Sequence, residues 1–201
     1  MSPLEVVTRG RKCATGAGGM VATAFPAASE AAVEILRAGG NAIDAAVAAA
    51  WALAVCEPSS SGLGGQTTLL VRFADGRMLV VDGYSRAPAA VSTKRVSAKQ
   101  QQKGYRACTI PSTPATLEHA RRRYGALPRG KVMEPAIRLA EDGCAITRLQ
   151  RRQTKWCMKD LLASSATAGL FLRQGRAFRV GDIFRQKGLA ATLRRLADVG
   201  V

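Results

Sequence analysis

The chain has 201 residues, of which 47% are hydrophobic and 22% are charged, and its mean hydropathy is zero. These values are typical of a globular domain with a core of its own and exclude a disordered chain. The net charge is +16, and all of the excess Lys and Arg lies after residue 93, since residues 1–93 carry seven basic and seven acidic side chains.

The N-terminal segment MSPLEVVTRGRKCATG lacks the apolar stretch of a signal peptide. No apolar run in the chain reaches the length of about 18 residues that crosses a bilayer. We therefore expect a cytoplasmic protein without a membrane partner. Reduced thiols, with neither a disulfide framework nor a metal site, are expected because the cysteines are widely spaced and lack CxxC pairs or a neighbouring histidine. They are Cys13, Cys56, Cys108, Cys144 and Cys157.

Two helices are predicted first along the chain. AASEAAVEILRAGG has apolar residues at helical spacing, and its two final glycines are a good C-terminal stop. Asn41 then stands where an N-cap is expected, with Asp44 close to the positive end of the next helix. That helix, AIDAAVAAAWALAV, is apolar on every face and should be buried, and it should stop at Glu57-Pro58.

A polar loop and a hairpin follow. EPSSSGLGGQTTLL is neither a P-loop, because no lysine follows its glycines, nor a nucleophile elbow, because its serines precede the first glycine. We predict a sharp turn in which the hydroxyls of Ser59 to Ser61 satisfy nearby backbone groups. QTTLLVRF and RMLVVD, joined by ADG, predict a β-hairpin. Three more helices are predicted, each closed by a glycine: TPATLEHARRRYG, KVMEPAIRLAEDG and GLAATLRRLADVG.

The first half carries a highly specific combination of motifs. GMVA is followed by AGGNAIDAAVAAA and then by EPSSSGLGG before a strand. The second half adds GYRACTIPSTPATL, YGALP and EPAIRLAEDG. This sequence resembles the start of the large subunit of γ-glutamyltranspeptidases, and the resemblance covers nearly the whole chain.

The resemblance implies an α+β fold, the large-subunit portion of the αββα sandwich of an N-terminal nucleophile hydrolase. Residues 1–201 would form the N-terminal portion of that subunit, incomplete at the C-terminus. In this family a self-cleaving precursor exposes a threonine at the start of a small subunit, where it acts as nucleophile and its own amino group as base. Hydrolysis or transfer then proceeds through an acyl-enzyme.

The family's nucleophile lies beyond the segment aligned here, so no catalytic residue, cofactor or metal is expected in this chain. Thr67-Thr68 superficially resembles the nucleophilic pair, but no histidine follows and the surrounding residues match the large subunit. We expect two ordinary strand threonines. The implied partners are the missing C-terminal segment of the large subunit and the small subunit, and the chain alone should be inactive.

The sequence departs from the family where the substrate binds. The family usually places an arginine soon after the aspartate ending the second strand, where it binds the α-carboxylate of the glutamyl group. Here DGYSRAP puts Tyr84 at that position, and Arg86 lies two residues on. Both are candidate substrate-binding residues, against the alternatives of hairpin packing for Tyr84 and of plain surface for Arg86. The substrate would be a γ-glutamyl compound such as glutathione, or another small acidic amide as in the oxamate-hydrolysing branch.

Two further interpretations stay open. The basic second half predicts a solvated face or a face that meets an acidic partner segment, and nucleic acid is an unlikely partner because no recognition motif accompanies the charge. The alternative function is a non-catalytic remnant or binding module that engages polyanions.

His119, the only histidine, should be solvated on its helix. The isolated chain should aggregate, because half of a shared sandwich leaves sheet edges and an apolar face uncovered.

Overall fold

The computed structural model describes residues 14–92, 94 and 96–201, so the N-terminal segment and Cys13 lie outside the described residues. The helices are α1 (Pro26–Arg37), α2 (Ala42–Cys56), α3 (Thr113–Tyr124), α4 (Arg129–Asp142), α5 (Arg148–Trp156), α6 (Met158–Leu162), α7 (Ser165–Phe171) and α8 (Lys187–Val199). The strands are β1 (Thr67–Arg72), β2 (Met78–Gly83), β3 (Cys144–Ala145), β4 (Leu172–Arg173), β5 (Arg176–Ala177) and β6 (Ile183–Phe184). In the described ranges, no helix combines the length and apolar character needed to cross a membrane.

Helices α1 and α2 form the centre of the core, and the sequence predicts both helices and the burial of α2. The chain leaves α1 through Gly39, whose φ of 88° favours glycine. The side chain of Asn41 caps α2 by accepting the N–H of Asp44 at 3.1 Å, and the Asp44 carboxylate accepts the N–H of Asn41 at 3.0 Å. Helix α2 is buried on nearly every side, with Trp51 only 2% exposed, and packs against α1, α3 and α4.

The predicted hairpin is the two-stranded antiparallel sheet β1–β2, and Gly76 at its turn has a φ of 86°. Side chains alternate between two faces along each strand. The inner face, which includes Leu69, packs against the core. The outer face is apolar yet open: Leu70 is 67% exposed, Met78 66% and Val80 58%. Since Leu70 lies directly opposite Val80 in the register, these side chains form one exposed patch.

The three helices predicted in the second half are α3, α4 and α8. Helix α4 packs against α2 on one side and α8 on another, which extends the core toward the C-terminus. A glycine directly follows each helix, as predicted: Gly125, Gly143 and Gly200. Each helix buries large apolar side chains, among them Leu117, Met133 and Leu193.

The sequence analysis missed α5, α6 and α7 and the short strand pairs β3–β6 and β4–β5. Helix α5 is mostly polar and Gln150 is its buried residue, so it has no run of apolar residues that marks a helix. Its cations do recur at helical spacing, at Arg148, Arg151, Arg152 and Lys155, and the prediction did not use this periodicity. A different signal was present: Thr147 and Gln150 form the T-x-x-Q pattern of a helix start, and the Thr147 hydroxyl accepts the N–H of Gln150 at 3.1 Å.

Candidate functional site

The two candidate substrate-binding residues lie on a short segment, residues 84–86, directly after β2. The backbone N–H of Tyr84 donates to Asp82 Oδ1 at 3.0 Å. Ser85 donates twice to Gln66 Oε1, from its N–H at 3.2 Å and from its hydroxyl at 3.0 Å. Gln66 belongs to the loop before β1, so this loop holds the segment in place. No local pattern in the sequence indicates this role of Gln66.

The other end of the segment is fixed by a bridge to a distant part of the chain. The carbonyl of Arg86 accepts the N–H of Ile110 at 2.8 Å. The side chain of Tyr84 is 66% exposed and Arg86 is also exposed. The structure therefore holds the backbone at both ends and leaves the two side chains free to contact a ligand.

A hollow of about 430 Å³ lies just downstream in the chain, lined by residues between 88 and 108. Neither Tyr84 nor Arg86 contributes to its lining. Both candidate side chains are exposed to solvent in the described part of the chain.

Gly83, the last residue of β2, packs directly on helix α3 beneath this segment. A Cβ atom there would lie 2.8 Å from the Thr116 Cβ and well inside van der Waals contact of the Thr116 hydroxyl and the Thr67 carbonyl. The hydroxyl of Ser112 donates to the Gly83 carbonyl. Only glycine lets the end of β2 lie this close to α3. The position of Tyr84, the next residue, depends on this packing.

The loop of residues 57–66 also docks on the start of α3. The carbonyl of Gly65 accepts the N–H groups of Ser112 and Thr113 at 3.0 and 3.3 Å. The hydroxyl of Thr67 donates to the Thr113 hydroxyl at 3.0 Å. Thr67 is therefore a strand residue with a structural hydrogen bond, as expected from the sequence.

The predicted turn in this loop is present, but the hydroxyls of Ser59 and Ser61 bind side chains. Backbone N–H groups of Ser60 and Ser61 donate to the Glu57 carbonyl at 3.1 and 2.8 Å. The Ser61 hydroxyl donates to the Glu57 carboxylate at 2.7 Å and the Ser59 hydroxyl to Gln153 Oε1 at 2.9 Å. The prediction of backbone partners was wrong for Ser59 and Ser61, because acceptor side chains lie within reach.

Asp44 does more than cap α2. Its side chain is fully buried and also accepts the N–H of Ala126 at 2.8 Å and that of Leu127 at 3.4 Å. One carboxylate thereby ties the start of α2 to the turn between α3 and α4. The sequence shows the helix start, but the partners 82 residues away become visible only in the fold.

An ion pair on α3 reinforces the same region. Arg121 donates to both carboxylate oxygens of Glu118 at 2.9 Å, and it also donates to the Leu127 carbonyl at 3.1 Å. The hydrogen bonds from Arg121 lower the pKa of Glu118, and the same contact raises the pKa of Arg121. Both groups therefore stay charged at neutral pH.

The histidine and the cysteines of the described residues do not cluster into a catalytic or metal-binding site. His119 is exposed on α3, as predicted. Cys56, Cys108, Cys144 and Cys157 are free thiols. Burial, followed by the effect of Cys144, raises the pKa of Cys56 to about 12, so this thiol is protonated and unreactive at neutral pH. Among the described residues, no group of three His, Cys, Asp or Glu side chains could hold a metal ion.

Comparison with known proteins identifies the family. The family model described as Gamma-glutamyltranspeptidase matches residues 28–201. The chain belongs to the gamma-glutamyltranspeptidase family. It is 36% identical over 190 residues to a glutathione hydrolase proenzyme from a Pseudomonas species, which covers 90% of this chain and 33% of the relative. It is 35% identical over 203 residues to an acylase ACY 1 proenzyme from another Pseudomonas strain, which covers 94% of this chain and 36% of the relative.

Solved structures agree with the predicted fold class. Helicobacter pylori gamma-glutamyltranspeptidase matches with a TM-score of 0.89 at 32% identity, over 94% of this chain and 56% of that one. A cephalosporin acylase from Bacillus halodurans matches with a TM-score of 0.78 at 34% identity, over 86% of this chain and 34% of that one. The fold is the α+β large-subunit portion of an N-terminal nucleophile hydrolase. The chain spans about a third of the length of its curated relatives.

Proposed function

We propose that this chain is the N-terminal portion of the large subunit of an amide hydrolase or acyltransferase. The observation that carries the proposal is the family match over residues 28–201, shared with relatives named both as glutathione hydrolases and as acylases. The nucleophilic threonine and its oxyanion donors would come from a segment outside this chain. The chain alone would then be inactive.

We propose that Tyr84 and Arg86 form one wall of the acyl-binding site. The support is geometric: the backbone of residues 84–86 is hydrogen-bonded at both ends while both side chains are exposed. A guanidinium group at Arg86 can pair with a carboxylate on the acyl group through two parallel hydrogen bonds. Tyr84 in place of the family's arginine favours a small acidic amide, with oxamate-type and γ-glutamyl amides as the two substrates to compare.

The outer face of the β1–β2 hairpin is the proposed contact for the missing segments. Leu70, Met78 and Val80 expose an apolar surface of a kind that soluble monomers normally cover. Two strands alone are also marginal as a sheet in water. Further strands of a sandwich would cover this face and shield the site from solvent. Without them, this face should cause the isolated chain to aggregate.

The first experiment is mass spectrometry of the native protein purified from its source. The proposal predicts a companion chain that begins with threonine and copurifies with this sequence. The contrary result is a monodisperse 201-residue protein that melts cooperatively and has no companion chain. It would contradict the proposed companion and the proposal that the outer face of β1–β2 must be covered.

The second experiment assays the complete enzyme with γ-glutamyl and oxamate-type amides. Arg86→Gln should raise KM about 10- to 100-fold, the loss expected for hydrogen bonds to a charged group. Arg77→Gln is the matched control, because Arg77 is an exposed arginine held by Asp75 at the hairpin turn. Tyr84→Arg should raise the rate with γ-glutamyl amides if Tyr84 occupies the carboxylate position. If KM is unchanged in both Arg86→Gln and Tyr84→Arg, residues 84–86 do not contact the substrate.

We also propose a cytoplasmic location. Cys108 and Cys157 are exposed free thiols, which suits a reducing compartment. Fractionation of source cells, with detection of this chain in the soluble fraction, is the test. Recovery from a secreted fraction would contradict it.

A further inference from the structure

A basic groove lies between α5, the start of α6 and the β4–β5 hairpin. Its volume is about 660 Å³, within the range of small-molecule sites. Cations from two separate segments line it, α5 and residues 173–179: Arg151, Lys155, Arg173, Arg176 and Arg179. Apolar atoms of Met158 and Phe178 form part of its wall. The groove is distant in sequence from residues 84–86 and plays no part in the proposed amide chemistry.

The positive charge of this groove is not neutralised within the described residues. Asp182 is the one acidic residue among its lining, and its Oδ2 accepts the backbone N–H of Arg179 at 2.8 Å. Elsewhere on the surface, arginines pair with carboxylates, as Arg138 does with Glu34 at 2.5 Å. In the described ranges, no carboxylate makes such a pair with the five cations of the groove.

The backbone brings two of these cations together at a cost. Arg173 and Arg176 lie directly opposite each other in the β4–β5 register, and like charges in that position are destabilising. The two-residue turn between them, Gln174 and Gly175, has φ values of 52° and 72°, so it holds the pair in a tight hairpin. On the opposite wall, Arg151 Nε is buried without a hydrogen-bond partner in the described part of the chain.

We propose that this groove binds a small ligand that carries two or more phosphate groups on an organic body. Phosphate oxygens match the planar fork of arginine, and several arginines around one groove favour more than one phosphate group. A dianion between Arg173 and Arg176 converts their repulsion into two attractive contacts. The apolar wall formed by Met158 and Phe178 gives the organic body a surface that inorganic phosphate alone does not need.

The test is calorimetric titration of the complete enzyme, this chain together with its companion segments, with pyrophosphate and with ATP at constant ionic strength, with chloride as the background anion. Both should bind saturably, and ATP at least as tightly as pyrophosphate. The double variant Arg173→Gln/Arg176→Gln should weaken both at least tenfold. Arg195→Gln, which removes an exposed cation of α8 outside the groove, should leave both within twofold.

Melting temperatures show whether weaker binding by the double variant comes from the lost arginines or from misfolding. The double variant should melt no lower than wild type, because it removes a like-charge pair, and pyrophosphate should raise the melting temperature of wild type only. Vesicles that contain a bisphosphorylated phosphatidylinositol distinguish a lipid headgroup from a soluble nucleotide as the source of the phosphates. Absence of saturable pyrophosphate and ATP binding, equal binding by the double variant, or binding of duplex DNA alone would each overturn the proposal.

Discussion

Gly83 offers the sharpest test of how the fold positions the candidate site. Gly83→Ala adds one methyl group whose position is already occupied by the Thr116 hydroxyl and the Thr67 carbonyl. The Thr116 side chain can rotate only by giving up its hydrogen bond to the Ser112 carbonyl at 2.9 Å. The Thr67 carbonyl is backbone and cannot move without shifting β1. Inserting a methyl group into such a packed place costs about 1–3 kcal/mol, and we expect the upper end because backbone must move.

The free energy of unfolding of the complete enzyme, measured by urea denaturation, should therefore fall by about 3 kcal/mol in Gly83→Ala. Gly64→Ala is the matched control, because a Cβ at Gly64, in the loop that precedes β1, meets no atom within 4 Å. This control should stay within about 0.5 kcal/mol of wild type. In the complete enzyme, Gly83→Ala should also raise KM, since Tyr84 moves with the strand end. Stability within 0.5 kcal/mol of wild type would refute the close packing of β2 on α3.

Three further predictions concern Asp44, Glu118 and two of the cysteines. Asp44→Ala should lower the free energy of unfolding by about 3 kcal/mol, because a helix cap is lost and buried N–H groups are left unpaired; urea denaturation measures it. Glu118→Gln should destabilise the protein at neutral pH. Since Arg121 lowers the pKa of Glu118 in the folded state, that difference should begin to shrink as the pH falls below about 4.5, the ordinary value, and vanish as the pH falls through the lowered pKa; a pH series of melting curves measures it. Alkylation at pH 8, mapped by mass spectrometry, should modify Cys157 in the native protein and Cys56 only after unfolding.

Local sequence signals were sufficient for the framework of the fold. The N-cap at Asn41, the glycine stops and the alternation of the hairpin each depend on neighbouring residues, so the sequence predicted them. Helix α5 was missed because its periodicity is carried by cations and not by the apolar residues from which the other helices were predicted. The second role of Asp44 was missed for a different reason: its partners Ala126 and Leu127 lie 82 and 83 residues away in the chain.

In the candidate site, too, the local sequence indicates which residues to consider but not which distant residues hold them. The motif DGYSRAP located Tyr84 and Arg86, because the family resemblance aligns that segment with a substrate contact. Nothing local indicated that Gln66 holds Ser85 or that Ile110 holds Arg86. Such contacts join segments that are far apart in the chain, and their positions depend on how β2 packs on α3.

Two surfaces of this chain conflict with what a stable isolated domain requires. The hairpin exposes Leu70 and Val80 side by side, and the β4–β5 hairpin places Arg173 against Arg176. Natural sequences tend to keep such conflicts where function needs them. The two conflicts call for opposite complements, since an apolar strand face needs more sheet whereas an arginine cluster needs an anion. One partner surface therefore cannot relieve both, and the chemistry of the chain points to two separate contacts, one structural and one for a charged ligand.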